Sequence, residues 1–154
     1  MIDAAIVDEA AVRLALTEVA DPEIPVVSVV DLGMIERVEV RPDAIRVELL
    51  PTFVGCPAVE MIRAAVADRL SVFGRPVFVD TTFRVPWTSD RITASGKAKL
   101  RASGFAPPSG EAAVRCPYCG SANVALDNLF GPTQCRSLRY CRACRQPFEQ
   151  FKTV

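Results

Sequence analysis

The chain is 154 residues long and half hydrophobic, with 18 Lys and Arg balanced by 18 Asp and Glu and no histidine. That length fits one ordinary domain or a small domain with an appendage, and the charge balance argues against a surface built for polyanions such as nucleic acid. Without imidazole there is no Ser-His-Asp or Cys-His machinery, so any metal must be held by Cys, Asp or Glu.

Residues 4–20 predict a helix, with Ile6, Val7, Ala10 and Leu14 on one side and Val12, Leu16 and Val19 as a second stripe, so that it would be covered on two sides. Asp3, Asp8, Glu9, Arg13 and Glu18 break up this segment, which excludes the apolar core of a secretory signal. No run approaches the roughly 18 apolar residues of a membrane span, so the chain reads as a soluble cytoplasmic protein with no membrane partner. Asp21-Pro22 should end the helix, because proline disfavours helical backbone in the residue before it. Residues 21–33 then form a loop with two prolines.

A strand is expected over 34–40, imperfect because Glu36 shares a face with Met34 and Val38. Residues 44–50 alternate cleanly, Ile45, Val47 and Leu49 against Arg46 and Glu48, and Arg41-Pro42-Asp43 should turn one strand into the other. Residues 57–73 give the clearest helix, with Val59, Ile62, Val66, Leu70 and Phe73 in one sector and Gly74 as its stop. A strand over 76–83 follows. A last helix near 94–103 has Thr93 as N-cap and Gly104 just past its end. The order α-β-β-α-β-α describes an α+β fold with helices layered on one small sheet. The expected division is an α+β domain over 1–105, a Pro- and Gly-rich linker over 106–113, and a metal-binding tail over 114–154.

Five of the six cysteines crowd that tail. Cys116-Pro-Tyr-Cys119 and Cys141-Arg-Ala-Cys144 are two C-x-x-C turns, which together supply the four-thiolate tetrahedral cage that zinc prefers. Gly120 suits the tight backbone of such a knuckle, and three short strand candidates, NVALDN, SLRYC and PFEQFK, complete the pattern of a zinc ribbon. About 40 residues bury too little apolar surface to fold alone, so metal binding would supply what packing cannot. A rubredoxin-like iron site, a redox-active pair or a shared cluster are the alternatives. Cys135 reads as a small buried hydrophobe, or else as an extra thiol near the metal or a partner surface. Residues 1–111 carry 12 basic and 16 acidic side chains, and residues 112–154 carry 6 and 2, a tail suited to an acidic protein surface.

Cys56 stands apart, before Pro57 at the start of the clean helix. A thiol at an N-cap faces unpaired N–H groups and the positive end of the helix dipole, which predicts a depressed pKa. Thr52 adds a hydroxyl to this loop, and Asp21, Glu23 and Asp31 could face the thiol or serve as ordinary turn and cap residues. Oxygen and sulfur donors without imidazole suit transient iron binding and not hydrolysis. The bland alternative is a small residue packed beneath its loop.

These segments carry a family resemblance. DPEIPVVSVVDLGMI, LLPTFVGCP and FRVPWTSDRIT resemble the opening, the T-x-x-x-C-P loop and the PW segment of iron–sulfur-assembly-like domains. KLRASGFAPP, CPYCGS, NLFGPTQCRSLRYC and PFEQFK make the chain, from about residue 10 to residue 152, similar to the PaaD family of the ring-1,2-phenylacetyl-CoA epoxidase system. TASGKAKL is less acidic than that pattern. The resemblance implies a two-layer α-β-β-α-β core and an accessory or maturation role beside a di-iron oxygenase whose other components do the chemistry. It implies Asp21, Glu23, Thr52 and Cys56, with Asp31, as a transient iron or iron–sulfur site, and Cys116, Cys119, Cys141 and Cys144 as ligands of a structural zinc. The expected partners are the oxygenase subunits, their iron–sulfur reductase and, as one open assembly, a second copy of the chain. Two other functions stay open, a purely structural subunit and a rubredoxin-like electron carrier.

Overall fold

A computed structural model describes residues 7–154. Within them the chain divides into two compact units, up to Trp87 and from Thr88 onward.

The first unit holds α1 (Glu9–Leu16), β1 (Ile35–Val40), β2 (Ile45–Leu49), α2 (Val59–Leu70) and β3 (Val77–Thr81). The strands form a sheet in the order β1-β2-β3, with β1 and β2 antiparallel and β2 and β3 parallel. Helix α1 packs on α2 and β1, and α2 packs on β3, so both helices cover the sheet. Val12 and Leu16 of α1, Ile62, Val66 and Leu70 of α2, and Ile45, Val47 and Leu49 of β2 are all buried. Complete burial of one such side chain contributes about 1.5–3 kcal/mol.

Helix α1 is shorter than the expected 4–20, of which residues 4–6, Ile6 included, lie outside the described residues. It starts after Asp8, whose carboxylate accepts from the Ala11 N–H at 2.8 Å. It ends at Leu16, four residues before the expected stop. The N–H groups of Thr17, Glu18 and Val19 reach back three residues instead of four, and Ala20 then bridges Ser28. Pairing across the 21–28 loop therefore sets the turn, and Pro22 does not. Only the second stripe is core: Val12, Leu16 and Val19 are buried, whereas Ala10 is exposed and Leu14 is 70% exposed.

The awkward Glu36 has a physical resolution. The β1–β2 register slips between Ile35 and Arg37, leaving Glu36 as the extra residue of a bulge, so Ile35 and Val38 both turn inward. Helix α2 is regular only from Val59, and its final turn tightens over Ser71–Phe73 before Gly74 takes a left-handed φ of 66°. Val59 and Phe73 are half-buried at its two ends.

The second unit opens with α3 (Ala94–Ala102), capped by the Thr93 hydroxyl on Gly96 N–H. Then come β4 (Phe105–Ala106), β5 (Val124–Asn128), β6 (Arg136–Cys141) and β7 (Pro147–Phe151), in the sheet order β4-β7-β6-β5. The expected boundary at 105/106 falls inside β4, which pairs with β7; Ala106, the first expected linker residue, is buried. Helix α3 therefore belongs with the ribbon strands. Gly104, which joins α3 to β4, has a left-handed φ of 83° that favours glycine, and a Cβ there would come within 2.8 Å of the Tyr118 hydroxyl. Residues 107–113 have no regular structure but are tied down, with Gly110 N–H on Thr153 Oγ1 and the Gln150 amide on Ser109 Oγ.

Candidate functional site

Two sulfur sites emerge, one in each unit. In the second unit, hairpin β6–β7 and the turn before β5 bring together Cys116, Cys119, Cys141 and Cys144, with all four sulfurs within 4.8 Å of one another. The pairs Cys116–Cys144 and Cys119–Cys141 lie 3.6 Å apart. A tetrahedral cage with metal–sulfur bonds of about 2.3 Å requires sulfurs ~3.8 Å apart, so the quartet fits a four-coordinate ion such as zinc. The knuckles are built alike. Cys116 O accepts from Gly120 N–H, and its N–H donates to Ser121 O; Cys141 N–H donates to Gln146 O. The residue after each pair has a left-handed φ, 76° at Gly120 and 59° at Arg145. Cys116 and Cys141 are buried with Ala106 and Phe148, and the partly buried Val114, Val124 and Cys144 pack against them.

Without an ion the quartet cannot carry four negative charges. Cys141 is drawn down to about 7, chiefly by the Cys144 N–H, while burial and the neighbouring sulfurs push Cys144 up to about 12. A cation is what would ionise the fourth thiol. Cys135 lies outside this cluster. It is half-exposed instead of buried, 3.0 Å from the Thr133 hydroxyl, because Lys152 N–H holds its carbonyl at the end of β7 while the side chain turns aside.

In the first unit, sheet register explains the second site. Ile35 pairs with Leu49, so the 21–34 loop enters and the 50–56 loop leaves at one end of the sheet. Because β3 runs parallel to β2, the segment after Thr81 starts from that same end. Three remote motifs thus converge. Trp87 fastens them, its buried indole N–H donating to Leu32 O at 2.7 Å.

Cys56 is half-buried there. The helix cap is Ala58 and not Cys56, because residues 56–59 form a turn in which Val59 N–H donates to Cys56 O. The thiol still meets the Ala58 and Val59 N–H groups, which favour its thiolate. They do not win: burial first, then the charges of Glu23 and Asp21, raises the Cys56 pKa above its ordinary value. The expected depressed thiol is overturned, and the charges of Glu23 and Asp21 act on the sulfur in the same direction as burial. Thr52 is half-buried in the same loop.

The two aspartates of the 21–34 loop also build it. Asp21 Oδ1 accepts from Glu23 and Ile24 N–H, both at 2.8 Å. Asp31 is buried and forms a reciprocal box, its Oδ2 accepting from Ser28 N–H at 2.9 Å while its own N–H donates to Ser28 Oγ at 3.0 Å. The S-x-x-D spacing carries that signal in the sequence. Trp87 has none, since no local pattern points it toward residue 32.

Each unit matches a family model. Residues 9–75 match the model for iron-sulfur cluster assembly proteins, and residues 102–152 match that for the PaaD zinc beta ribbon domain. An Escherichia coli K12 protein, provisionally named as the D component of 1,2-phenylacetyl-CoA epoxidase, is 36% identical over 90% of this chain and 89% of its own. The chain belongs to the PaaD family of phenylacetyl-CoA epoxidase components. Among solved structures, a domain of unknown function, DUF59, from Bacillus anthracis is 26% identical, with a TM-score of 0.56 over 60% of this chain and 90% of its own. A conserved hypothetical protein from Thermotoga maritima is 27% identical, with a TM-score of 0.52 over 61% of this chain and 94% of its own. Both coverages suit the expected α+β layer, and the family's ribbon follows it. Among the described residues no helix is long and apolar enough to cross a membrane.

Proposed function

We propose that this chain is a maturation accessory of the phenylacetyl-CoA ring epoxidase, with Cys56 transiently holding iron or an iron–sulfur centre on its way to another component. Asp21 and Glu23 are the nearby oxygen donors, and the quartet in the second unit holds a structural zinc. The observation that supports the reading is a half-buried thiol that meets the Ala58 and Val59 N–H groups and feels the charges of Glu23 and Asp21. A raised pKa suits this role. The negative charges of Glu23 and Asp21, which add to burial in holding the proton on sulfur, attract a cation, and the cation displaces that proton on binding. Asp31 fits the proposal as the residue that shapes the loop.

The test is to express the epoxidase genes with this chain or with its Cys56→Ser variant and measure iron in each purified component. Metal-poor oxygenase or reductase beside a folded variant supports delivery; full iron content in both refutes it. The raised thiol pKa also favours a second reading, a docking component whose thiol is incidental, which predicts co-purification indifferent to Cys56→Ser. Iron–thiolate absorption in the purified chain would point instead to an electron carrier.

A further inference from the structure

The second unit contains a cavity of about 430 Å³ beside the first cysteine knuckle. Its walls are mainly apolar, formed by Ala106, Pro107, Pro108, Ala113 and Pro117. Two arginines line it, Arg101 from the end of α3 and Arg115 from the residue before the knuckle. Arg115 is held in place by donating to Gly120 O at 3.1 Å. Neither arginine has an acidic partner among the described residues. That sets them apart from the first unit, where Arg13, Arg41, Arg63, Arg69 and Arg84 each meet a carboxylate. Residues 88–154 carry ten basic and four acidic side chains, a net of +6, so the unit as a whole is cationic.

A proline-lined hollow whose lining includes two arginines without acidic partners is complementary to an anionic group. It suits a carboxylate on a short extended segment whose neighbouring aliphatic groups rest on the prolines. A nucleic-acid groove would instead need a continuous cationic track and stacking platforms. We infer that this cavity is the docking site for an acidic segment, an Asp or Glu flanked by small aliphatic residues, on another component of the epoxidase. The inference rests on the accessory role proposed above, and it names the residues that recognise the partner. Arg101 and Arg115 form charge-assisted bonds to the carboxylate, and the proline wall fixes the register of the segment.

The test immobilises the full zinc-loaded chain and measures binding of the purified oxygenase and of the purified reductase across a salt series. The wild type should bind one of them with a steep loss of affinity as salt rises. The double variant Arg101→Glu/Arg115→Glu should bind roughly tenfold or more weakly, Arg101→Lys/Arg115→Lys should lie between, and Cys56→Ser should bind as the wild type does. Metal content and circular dichroism establish that the charge-reversed chain is folded. Equal binding by the charge-reversed chain overturns the inference and leaves the accessory role standing. Absence of binding by the wild type overturns it as well, and the iron content of the components then decides the accessory role separately. Self-association that the charge reversal abolishes, with oxygenase and reductase binding unchanged, would assign the cavity to a second copy and overturn the inference.

Discussion

Asp31 offers the sharpest test of which carboxylates shape the first unit and which face its thiol. Replacing it by alanine removes the acceptor of the buried Ser28 N–H, a 2.9 Å bond, while the backbone N–H of residue 31 keeps its bond to Ser28 Oγ. Leaving a buried donor unsatisfied costs about 1–3 kcal/mol. Asp31→Asn keeps an oxygen at the same place and should cost only a few tenths to about 1 kcal/mol. Trp87, the single tryptophan, donates to Leu32 O next to this box, so its fluorescence reports the loop directly. With a urea slope of about 1–3 kcal/mol/M, Asp31→Ala should lower the unfolding midpoint by roughly 1 M and Asp31→Asn by a fraction of that. Two results would refute the reasoning. If both variants unfold alike, the box is not what Asp31 supplies. If Asp31→Ala keeps the wild-type midpoint but loses iron binding, the carboxylate is a ligand and the loop is held by something else.

In the ribbon, Arg145 occupies a left-handed φ where the first knuckle uses Gly120. Arg145→Gly should relieve a cost of about 1–2 kcal/mol at the expense of some chain entropy, so zinc should leave more slowly in a chelator competition; a faster loss would contradict it. Exhaustive chelation or Cys141→Ser should collapse the amide signals of β5, β6 and β7, and metal analysis of the intact chain should give one ion per molecule. Because the folded environment raises the Cys56 pKa, the thiol keeps its proton to higher pH than in the unfolded chain. Its iodoacetamide labelling, followed by mass of the Cys56 peptide, should therefore lag an unstructured cysteine at pH 7–8 and catch up only under more alkaline conditions. Glu23→Gln removes one of the charges holding that proton and should speed labelling at pH 8, less than full exposure would, since burial is the larger cause.

What the sequence reveals and what it hides follow from range. The cysteine quartet is legible because its two knuckles are local turns at fixed spacing, and the strands NVALDN, SLRYC and PFEQFK lie where their alternation and turns place them. Thr93 as a cap and Gly74 as a stop are legible for the same reason. The end of α1 is not, because the bridge between Ala20 and Ser28 overrides the proline further on. Nor is the place of α3, which depends on β4 finding β7 more than 40 residues away. At Cys56 the sequence shows one real effect and hides burial, the larger one, together with two charges that add to it. The N–H groups at the start of α2 do favour the thiolate, but helix geometry says nothing about burial or about which carboxylates the sheet register brings across.

That register is also why the two sulfur sites differ in chemistry. In the ribbon, four thiols lie so close that ionising them all without a cation is prohibitive, and each ligand's backbone is pinned within its knuckle. Such a cage is closed: a bound ion has no open position and stabilises the fold. At the end of the α+β sheet one thiol feels the charges of two carboxylates in an irregular loop, with Asp21 already sharing one oxygen with two backbone groups. On the proposed delivery role, a site with one soft donor and partly committed oxygens would bind a cation weakly and leave coordination positions for a recipient to fill. Transfer requires that inequality. An ion held as firmly at Cys56 as in the quartet could not be passed on, so introducing a second thiol there, Asp21→Cys, should raise the iron retained by this chain and lower the iron reaching the epoxidase. Higher iron on both would mean that retention does not limit transfer, and the delivery role of the carboxylate–thiol pairing would fall.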